Sequence, residues 1–120
     1  ILDQVLDSTA MRRISFQSYD LRVLRAIRKG QLEGLYSKDL SIVLLDGENG
    51  NLKEIIADLG FVPDVYSPIY NLVYSSRIED ARAAGVLVIP HTVNKVEDMK
   101  RLVEMGVDGI ITDYPNRFFE

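Results

Sequence analysis

The sequence predicts an α/β fold built on a parallel sheet, and three observations lead to this prediction. Short runs typical of strands alternate four times with longer segments in which apolar residues recur at helical spacing. Polar side chains gather just after the strand runs, where functional sites of such folds lie. No linker or low-complexity tract interrupts residues 1–120, which indicates one domain. Strands that alternate with helices pair in parallel through right-handed crossovers.

The chain begins with a helical segment and a first strand. Apolar residues at helical spacing over residues 1–8 are typical of the last turns of a helix. Residues 13–17 alternate polar and apolar side chains, which predicts a strand. Ser18 or Asp20 can cap the helix that follows, and Gly30 can end it.

The second unit is the most apolar part of the chain. Residues 41–45 are almost wholly apolar, which is typical of a strand covered on both faces. A turn-like Asp-Gly-Glu-Asn-Gly sequence follows over residues 46–50. Asn51 then caps a helix that Gly60 ends.

The third unit is shorter and leads to the most distinct strand. Residues 64–66 predict a short strand that stops before Pro68. Residues 76–84 predict a helix that ends at Gly85, and the apolar residues 86–90 predict the next strand.

The last unit closes the pattern. Asn94 and Glu97 have the spacing of a capping box, in which each side chain accepts an orphan backbone N–H. The helix that they begin ends at Gly106, and residues 109–112 predict a final strand.

Two architectures fit this order of elements. One is an open sheet with helices on both faces, and the other is a piece of a (β/α)8 barrel, where helices cover only the outside. Both place the functional residues at the carboxyl ends of the strands. The alternation alone leaves this choice open.

Composition excludes several classes of function. The chain has no cysteine, so disulfides, zinc-thiolate sites and cysteine nucleophiles are excluded, although this says nothing about its compartment. A net charge of −4 argues against nucleic acid as a partner. No apolar run approaches the ~20 residues that span a bilayer.

Three polar side chains are the candidates for a ligand pocket. Gln17 and Tyr19 follow the first strand, and alternation places Gln17 on the face opposite Phe16. His91 follows the fourth strand and is the one side chain that titrates near neutral pH without a perturbed pKa. We predict that His91 lines a pocket rather than acting as a general base.

A pair of carboxylates, Asp46 and Glu48, has the spacing that can hold a hard cation such as Mg²⁺ or Ca²⁺. The glycines beside them favour a surface turn instead. Asp113 precedes Tyr114 and Pro115, where a capping role is favoured over catalysis. We therefore predict no catalytic residue and no metal ligand in this chain.

The order of several motifs carries a resemblance to a known family. His91-Thr-Val-Asn94, a helix, and Gly106-Val-Asp-Gly-Ile-Ile-Thr-Asp-Tyr-Pro115 resemble the closing signature of glycerophosphodiester phosphodiesterases. Ser15-Phe-Gln-Ser-Tyr-Asp-Leu21 is similar to that family's Ser-Phe-Asp-x-x-x-Leu junction, and Tyr66-Ser-Pro-x-Tyr70 fits the segment before its seventh helix. The resemblance covers essentially the whole chain.

The resemblance implies that this chain is the C-terminal half of a TIM (β/α)8 barrel, with about four β/α units. The intact enzyme hydrolyses a glycerophosphodiester to glycerol 3-phosphate and an alcohol, with a divalent cation, Ca²⁺ or Mg²⁺. The family's His-Arg-Gly motif, Glu-x-Asp pair and second histidine lie upstream and have no match here. The chain alone is therefore expected to be inactive and to bind no cofactor.

One departure from the family concerns the substrate pocket. His91 stands where the family has a tryptophan that lines the glycerol pocket. An imidazole can still stack and form hydrogen bonds, but it offers less apolar surface for that contact. The start at Ile1 suggests a fragment or a processed product. The alternative is a non-catalytic half-barrel that acts as an assembly or binding module. Either way, the expected partner is a second half-barrel, as a homodimer or as the missing N-terminal half.

Overall fold

Four parallel strands form one sheet in the part of the chain that the structure, a computed structural model, describes, residues 14–48 and 51–119. The helix predicted over residues 1–8 lies outside these ranges. The strands lie side by side in chain order. They are β1 (Ser15–Ser18), β2 (Ser41–Asp46), β3 (Val65–Pro68) and β4 (Leu87–Val88).

A helix follows each strand, as the alternation predicts. The helices are α1 (Leu21–Leu32), α2 (Leu52–Leu59), α3 (Ser75–Ala84) and α4 (Val96–Met105). Short 3₁₀ turns cover Tyr70–Leu72 and Pro115–Phe119. Within the described ranges, no helix has both the length and the apolar character needed to cross a membrane.

Most helix ends follow the predicted chemistry. The Asp20 carboxylate accepts the backbone N–H of Arg22 at 2.9 Å, and Asn51 Oδ1 accepts that of Lys53 at 2.9 Å. Gly85 and Gly106 follow α3 and α4 with φ of 76° and 93°, a backbone region that favours glycine. These contacts confirm the predicted caps of α1 and α2 and the predicted ends of α3 and α4.

Two helix boundaries differ from the prediction. Helix α1 passes through Gly30 and ends at Leu32. A Cβ atom at position 30 would lie 2.3 Å from Cδ2 of Tyr36, so this glycine makes room for a ring and does not end the helix. The capping box is also wrong, because Lys95 precedes α4 and makes no side-chain cap, while Asn94 binds a different segment.

The strand ends were predicted less well than the strands. β4 is confined to Leu87–Val88, and β3 extends to Pro68. Residues 109–112 form no strand, although Ile111 N–H donates to Pro90 O at 2.9 Å. The N–H groups of Ile89 and His91 still donate to β3, whereas Pro90 has no N–H to donate to residues 109–112, and regular pairing does not form on that side.

The hydrophobic core lies on one face of the sheet. It joins residues from all four helices to one alternating set of strand residues. The strand members include Ile42 and Leu44 of β2, Tyr66 of β3 and Val88 of β4. Helices on a single face are what the barrel-type architecture requires, and an open doubly wound sheet has them on both.

The other face of the sheet carries a row of residues without a helix layer. The register places Gln17 beside Val43, Val43 beside Val65, and Val65 beside Leu87. Leu87 is 50% exposed, whereas Val43 and Val65 are buried. Ile89 and Ile111 line a shallow cavity on this face together with Gln17. We call this surface the open face.

Candidate functional site

The polar side chains predicted from the strand ends meet at one edge of the sheet. Tyr19 directly follows β1, and Asp46 is the last residue of β2. Ser67 is the next-to-last residue of β3, and His91 lies three residues after β4. Because all four strands are parallel, their carboxyl ends share one edge. The strand directions therefore bring together residues that are far apart in sequence.

His91 contacts protein groups through both ring nitrogens. The hydroxyl of Tyr19 lies 2.6 Å from His91 Nε2, and the two rings meet edge to face with centroids 5.7 Å apart. The hydroxyl of Ser67 lies 3.1 Å from His91 Nδ1. The Tyr19 ring rests on Gly47, where an added Cβ would lie 3.3 Å from its Cε1 atom. His91 thus joins the ends of β1 and β3.

The backbone around His91 is held by the neighbouring segment. Its N–H donates to Pro68 O at 3.0 Å, and its carbonyl accepts the N–H of Tyr70 at 2.6 Å. The peptide bond that follows, between His91 and Thr92, is cis. These contacts fix the position of the imidazole above the end of β3.

The environment of His91 favours the neutral imidazole. Partial burial lowers the pKa of His91 below its usual range, because a charged ring is poorly solvated there. A hydrogen bond to the Ser67 backbone and the carboxylate of Asp46 oppose this effect without reversing it. His91 is therefore a neutral hydrogen-bonding group near neutral pH.

Gln17 lies on the open face, below the level of Tyr19 and His91. Its side chain is exposed and lines the same cavity as Ser15 and Ile89. Phe16 packs on the core on the opposite face, as alternation predicts. The structure therefore brings Tyr19 and His91 into direct contact, whereas Gln17 lies on the open face and does not line a cavity with either of them.

Asp46 is buried and joins a side-chain network, while its second carboxylate oxygen holds the exposed turn that follows β2. Tyr66 donates its hydroxyl hydrogen to Asp46 Oδ2 at 2.7 Å, and Arg77 donates to the Tyr66 oxygen at 3.1 Å. Arg77 also lies 3.7 Å from Asp46 Oδ2. Burial is the main reason that the pKa of Tyr66 is raised above its usual range, so this hydroxyl stays protonated.

The same network bears on the metal hypothesis for Asp46 and Glu48. Asp46 Oδ1 accepts the backbone N–H of Glu48 at 3.0 Å, so both carboxylate oxygens have protein partners. Over residues 14–48 and 51–119, no three His, Asp or Glu side chains lie close enough together to hold a metal ion. The structure thus gives Asp46 protein partners on both carboxylate oxygens, and the absence of a metal ligand in this chain stays a prediction.

Asn94 joins the loop after β4 to the closing segment. Its Oδ1 accepts the backbone N–H of Asp113 at 3.0 Å and the Thr112 hydroxyl hydrogen at 3.2 Å. Its Nδ2 donates to Asp113 Oδ2 at 3.0 Å, and its carbonyl accepts from Arg117 at 2.9 Å. The Asp113 side chain thus accepts a hydrogen bond from Asn94, and its predicted capping role stays a prediction.

Sequence reasoning did not include Ser67, Tyr66 or Arg77 among the predicted pocket residues. Ser67 sits at the carboxyl end of β3 and shares the position that drew attention to Tyr19 and His91. That position was the available signal for Ser67. Tyr66 and Arg77 gave no signal, because a tyrosine in an apolar strand and an arginine in a helix are both ordinary.

Comparisons with known proteins identify relatives of this chain and agree with its fold. The model of the glycerophosphoryl diester phosphodiesterase family matches residues 1–117. Over 48 residues, or 40% of the chain, it is 44% identical to a glycerophosphodiester phosphodiesterase of Caldanaerobacter subterraneus subsp. tengcongensis. A Silicibacter pomeroyi DSS-3 structure named for the same class is 28% identical over 84% of this chain, with a TM-score of 0.69.

A phosphodiesterase of Oleispira antarctica, solved with the product sn-glycerol-3-phosphate, has the same fold. Its TM-score is 0.68 over 88% of this chain, at 17% identity. The matched parts cover 20% of the Caldanaerobacter enzyme, 34% of the Silicibacter chain and 42% of the Oleispira chain. The chain thus spans less than half of each of these proteins.

Proposed function

Because the chain belongs to the glycerophosphoryl diester phosphodiesterase family, we propose that it forms the C-terminal half of a (β/α)8 barrel that hydrolyses glycerophosphodiesters. The complete barrel releases glycerol 3-phosphate and an alcohol. The N-terminal half supplies the histidines for proton transfer and the carboxylates that hold Ca²⁺ or Mg²⁺. This chain supplies scaffold, barrel closure and one wall of the substrate pocket.

Two features support the half-barrel. All four described strands are parallel and in chain order, and the helices cover only one face. In a complete barrel, the uncovered face packs on the opposite half in layers of side chains. Val43, Val65 and Ile89 of the open face are the apolar residues expected in such layers.

The observation that carries the pocket assignment is the contact between Tyr19 and His91 at the carboxyl ends of the strands. In barrels of this kind, catalytic and binding residues occupy that end. Gln17, Tyr19 and His91 form the wall that this chain contributes. They bind and orient the substrate and exclude water, while the chemistry takes place on the other half.

The single histidine of the sequence supports inactivity of the chain alone. Proton transfer to the leaving alcohol and from the attacking water uses a positioned acid and base, and losing such help typically costs about 10² to 10⁴ in rate. His91 already contacts Ser67 and Tyr19 through its two nitrogens. His91 is therefore part of the pocket wall and is neither the general acid nor the general base of the reaction.

Complementation tests the proposal. The chain is assayed with glycerophosphocholine and Ca²⁺ or Mg²⁺, alone and after co-refolding with the N-terminal half of the Caldanaerobacter enzyme. We expect no turnover from either half alone and metal-dependent release of glycerol 3-phosphate from the mixture. The N-terminal half refolded with an unrelated protein of similar size is the control.

Two results would contradict the proposal. Metal-dependent turnover by this chain alone would show that its own residues perform the chemistry. Stable association with the N-terminal half but no turnover would favour the second candidate, a non-catalytic assembly or binding module. The half-exposed Leu87 on the open face is the observation that favours this second candidate.

A further inference from the structure

Asp46 is the residue at which the buried network meets the turn after β2. Its Oδ2 atom accepts the hydroxyl hydrogen of Tyr66 at 2.7 Å, and its Oδ1 atom accepts the backbone N–H of Glu48 at 3.0 Å. Its carbonyl accepts the N–H of Ile69 at 2.7 Å. One side chain, which is itself 8% exposed, therefore ties the turn over residues 46–48 to the interior.

Gly47, the middle residue of this turn, supports the ring of Tyr19. A Cβ atom at position 47 would lie 3.3 Å from Cε1 of Tyr19, so the turn and the ring are in direct contact. Tyr19 is 58% exposed, and its hydroxyl lies 2.6 Å from His91 Nε2. A ring with this exposure keeps several rotamers open unless a neighbour holds it. The position of Gly47 therefore decides whether the hydroxyl reaches the imidazole.

The charge of Asp46 reaches the same pair of rings. Its carboxylate raises the pKa of His91, although burial is the larger effect and lowers it. The carboxylate and the imidazole therefore lie within electrostatic reach of each other at the end of the sheet. The register agrees, because Asp46 pairs with Pro68, whose carbonyl accepts the N–H of His91 at 3.0 Å.

We propose that Asp46 is a positioning residue of the pocket wall, which holds the turn at Gly47 against the Tyr19 ring and so maintains the contact between Tyr19 and His91. Asp46 acts through the turn and does not itself touch the substrate. The effect on the two rings does not depend on the proposed function. The effect on substrate binding rests on it.

NMR of the aromatic rings tests this role in the chain as it stands. The sequence has one histidine, so the ring protons of His91 give unambiguous signals. The rings of Tyr19 and His91 meet edge to face with centroids 5.7 Å apart, so we expect a nuclear Overhauser effect between their protons. Its absence from the unaltered chain would overturn the proposal without any variant.

Two substitutions at position 46 separate the turn from the rest of the network. Asp46→Ala and Asp46→Ser both remove the carboxylate that Tyr66 and Arg77 contact, so both should lose stability. A serine hydroxyl can accept an N–H two residues on, as the Asp46 carboxylate does, whereas alanine cannot. We expect the Overhauser effect to be lost in Asp46→Ala and largely kept in Asp46→Ser. Equal loss in both variants, or no loss in either, would contradict the proposal.

Gly47→Val tests the same route with Asp46 intact, and it decides the matter if the variants at position 46 fail to fold. The added side chain should displace the Tyr19 ring and abolish the Overhauser effect. Gly109→Ala is the control, because its Cβ would make an ordinary contact with Ile89 at 3.5 Å, and it should keep the effect. An unchanged Overhauser effect in Gly47→Val would show that the turn does not hold the ring.

Kinetics of the complemented barrel extend the test to the pocket. Asp46→Ala and Gly47→Val should raise KM about tenfold and change kcat little, as the loss of one hydrogen bond in a binding wall predicts. Asp46→Ser should return KM toward the value of the unaltered chain. A fall in kcat with KM unchanged would contradict a role in the wall. Failure of complementation with the expected NMR responses would reject the proposed function and keep the assignment of Asp46.

Discussion

His91 illustrates how burial and neighbours set the state of a single side chain. Its ring lies between a buried serine and an exposed tyrosine, and partial burial holds its pKa below the usual range. The folded protein therefore binds fewer protons at this position than the unfolded chain near pH 6. The stability of the fold should depend on pH through this residue.

The sign of the effect follows from linkage. The contribution of His91 is complete above the unfolded-state pKa of about 6.5, and it is lost as the pH falls through the lower folded-state pKa. We expect the free energy of unfolding to fall between pH 7.5 and 5, by more than in His91→Gln. Urea unfolding of both proteins at several pH values measures the difference. Equal pH dependence in the two proteins would refute this prediction.

The buried network of Asp46, Tyr66 and Arg77 gives a second prediction at this scale. Asp46→Asn removes the negative charge beside the buried Arg77 guanidinium and should cost about 1–3 kcal/mol. Tyr66→Phe removes one shared hydroxyl and should cost about 1–3 kcal/mol. Chemical denaturation measures both. Tyr114→Phe, at an exposed ring, is the control and should change stability by less than about 0.5 kcal/mol.

At the scale of elements, Asn94 joins two loops through its carboxamide. Asn94→Asp would place a carboxylate against that of Asp113 and should cost about 1 kcal/mol. Adding Asp113→Asn places an amide opposite the new carboxylate at position 94, so that donor and acceptor exchange places. The double variant should recover most of the lost stability. Thermal unfolding of the single and double variants gives the coupling energy. Asn71→Asp, at an exposed site, controls for the added charge.

The absence of recovery in the double variant would contradict a direct coupling between the side chains at positions 94 and 113. The loss of stability in Asn94→Asp would then not come from repulsion between the two carboxylates, because Asp113→Asn removes that repulsion.

The elements that the sequence predicts well are those whose signals are local. Gly60 and Gly85 follow their helices directly, and Asn51 caps the helix that begins beside it. Alternation within β1 correctly separates Gln17 from Phe16. Each of these inferences needs only neighbours within a few residues.

The errors come from contacts between distant residues. Gly30 looks like a helix end until Tyr36 is seen against it, and Asn94 looks like a cap until Asp113 is seen beside it. Asp46 looks like a turn carboxylate because Arg77, 31 positions later, is invisible to local pattern. Polar side chains with two possible partners are where sequence reasoning is weakest.

At the scale of the whole molecule, the open face should drive association. Leu87 is 50% exposed, and Val65 beside it on the open face is apolar. Exposed apolar patches of this kind mark interfaces. Sedimentation equilibrium should show a species of twice the 13.6 kDa chain mass, or a complex with the N-terminal half when it is present. A second copy around a two-fold axis covers the open face and the strand edges together.

Leu87→Glu should weaken this association, because it places a charge in the contact. Leu35→Glu, at an exposed leucine outside the sheet, is the matched control and should leave it unchanged. A folded monomer whose mass does not vary with concentration would count against the half-barrel and favour a self-sufficient sheet.

The contact between Tyr19 and His91 has a consequence for how two halves would meet. It joins residues 72 positions apart and ties the first strand to the segment after the last one at a single edge. This contact restricts the curvature that the free sheet can adopt before a partner binds. The sheet edge is then already ordered in the folded chain, and a docking partner does not have to order it. The entropic cost of association would therefore be smaller. If a second half-barrel docks as proposed, the sheet edge held by Tyr19 and His91 would act as its preformed binding surface.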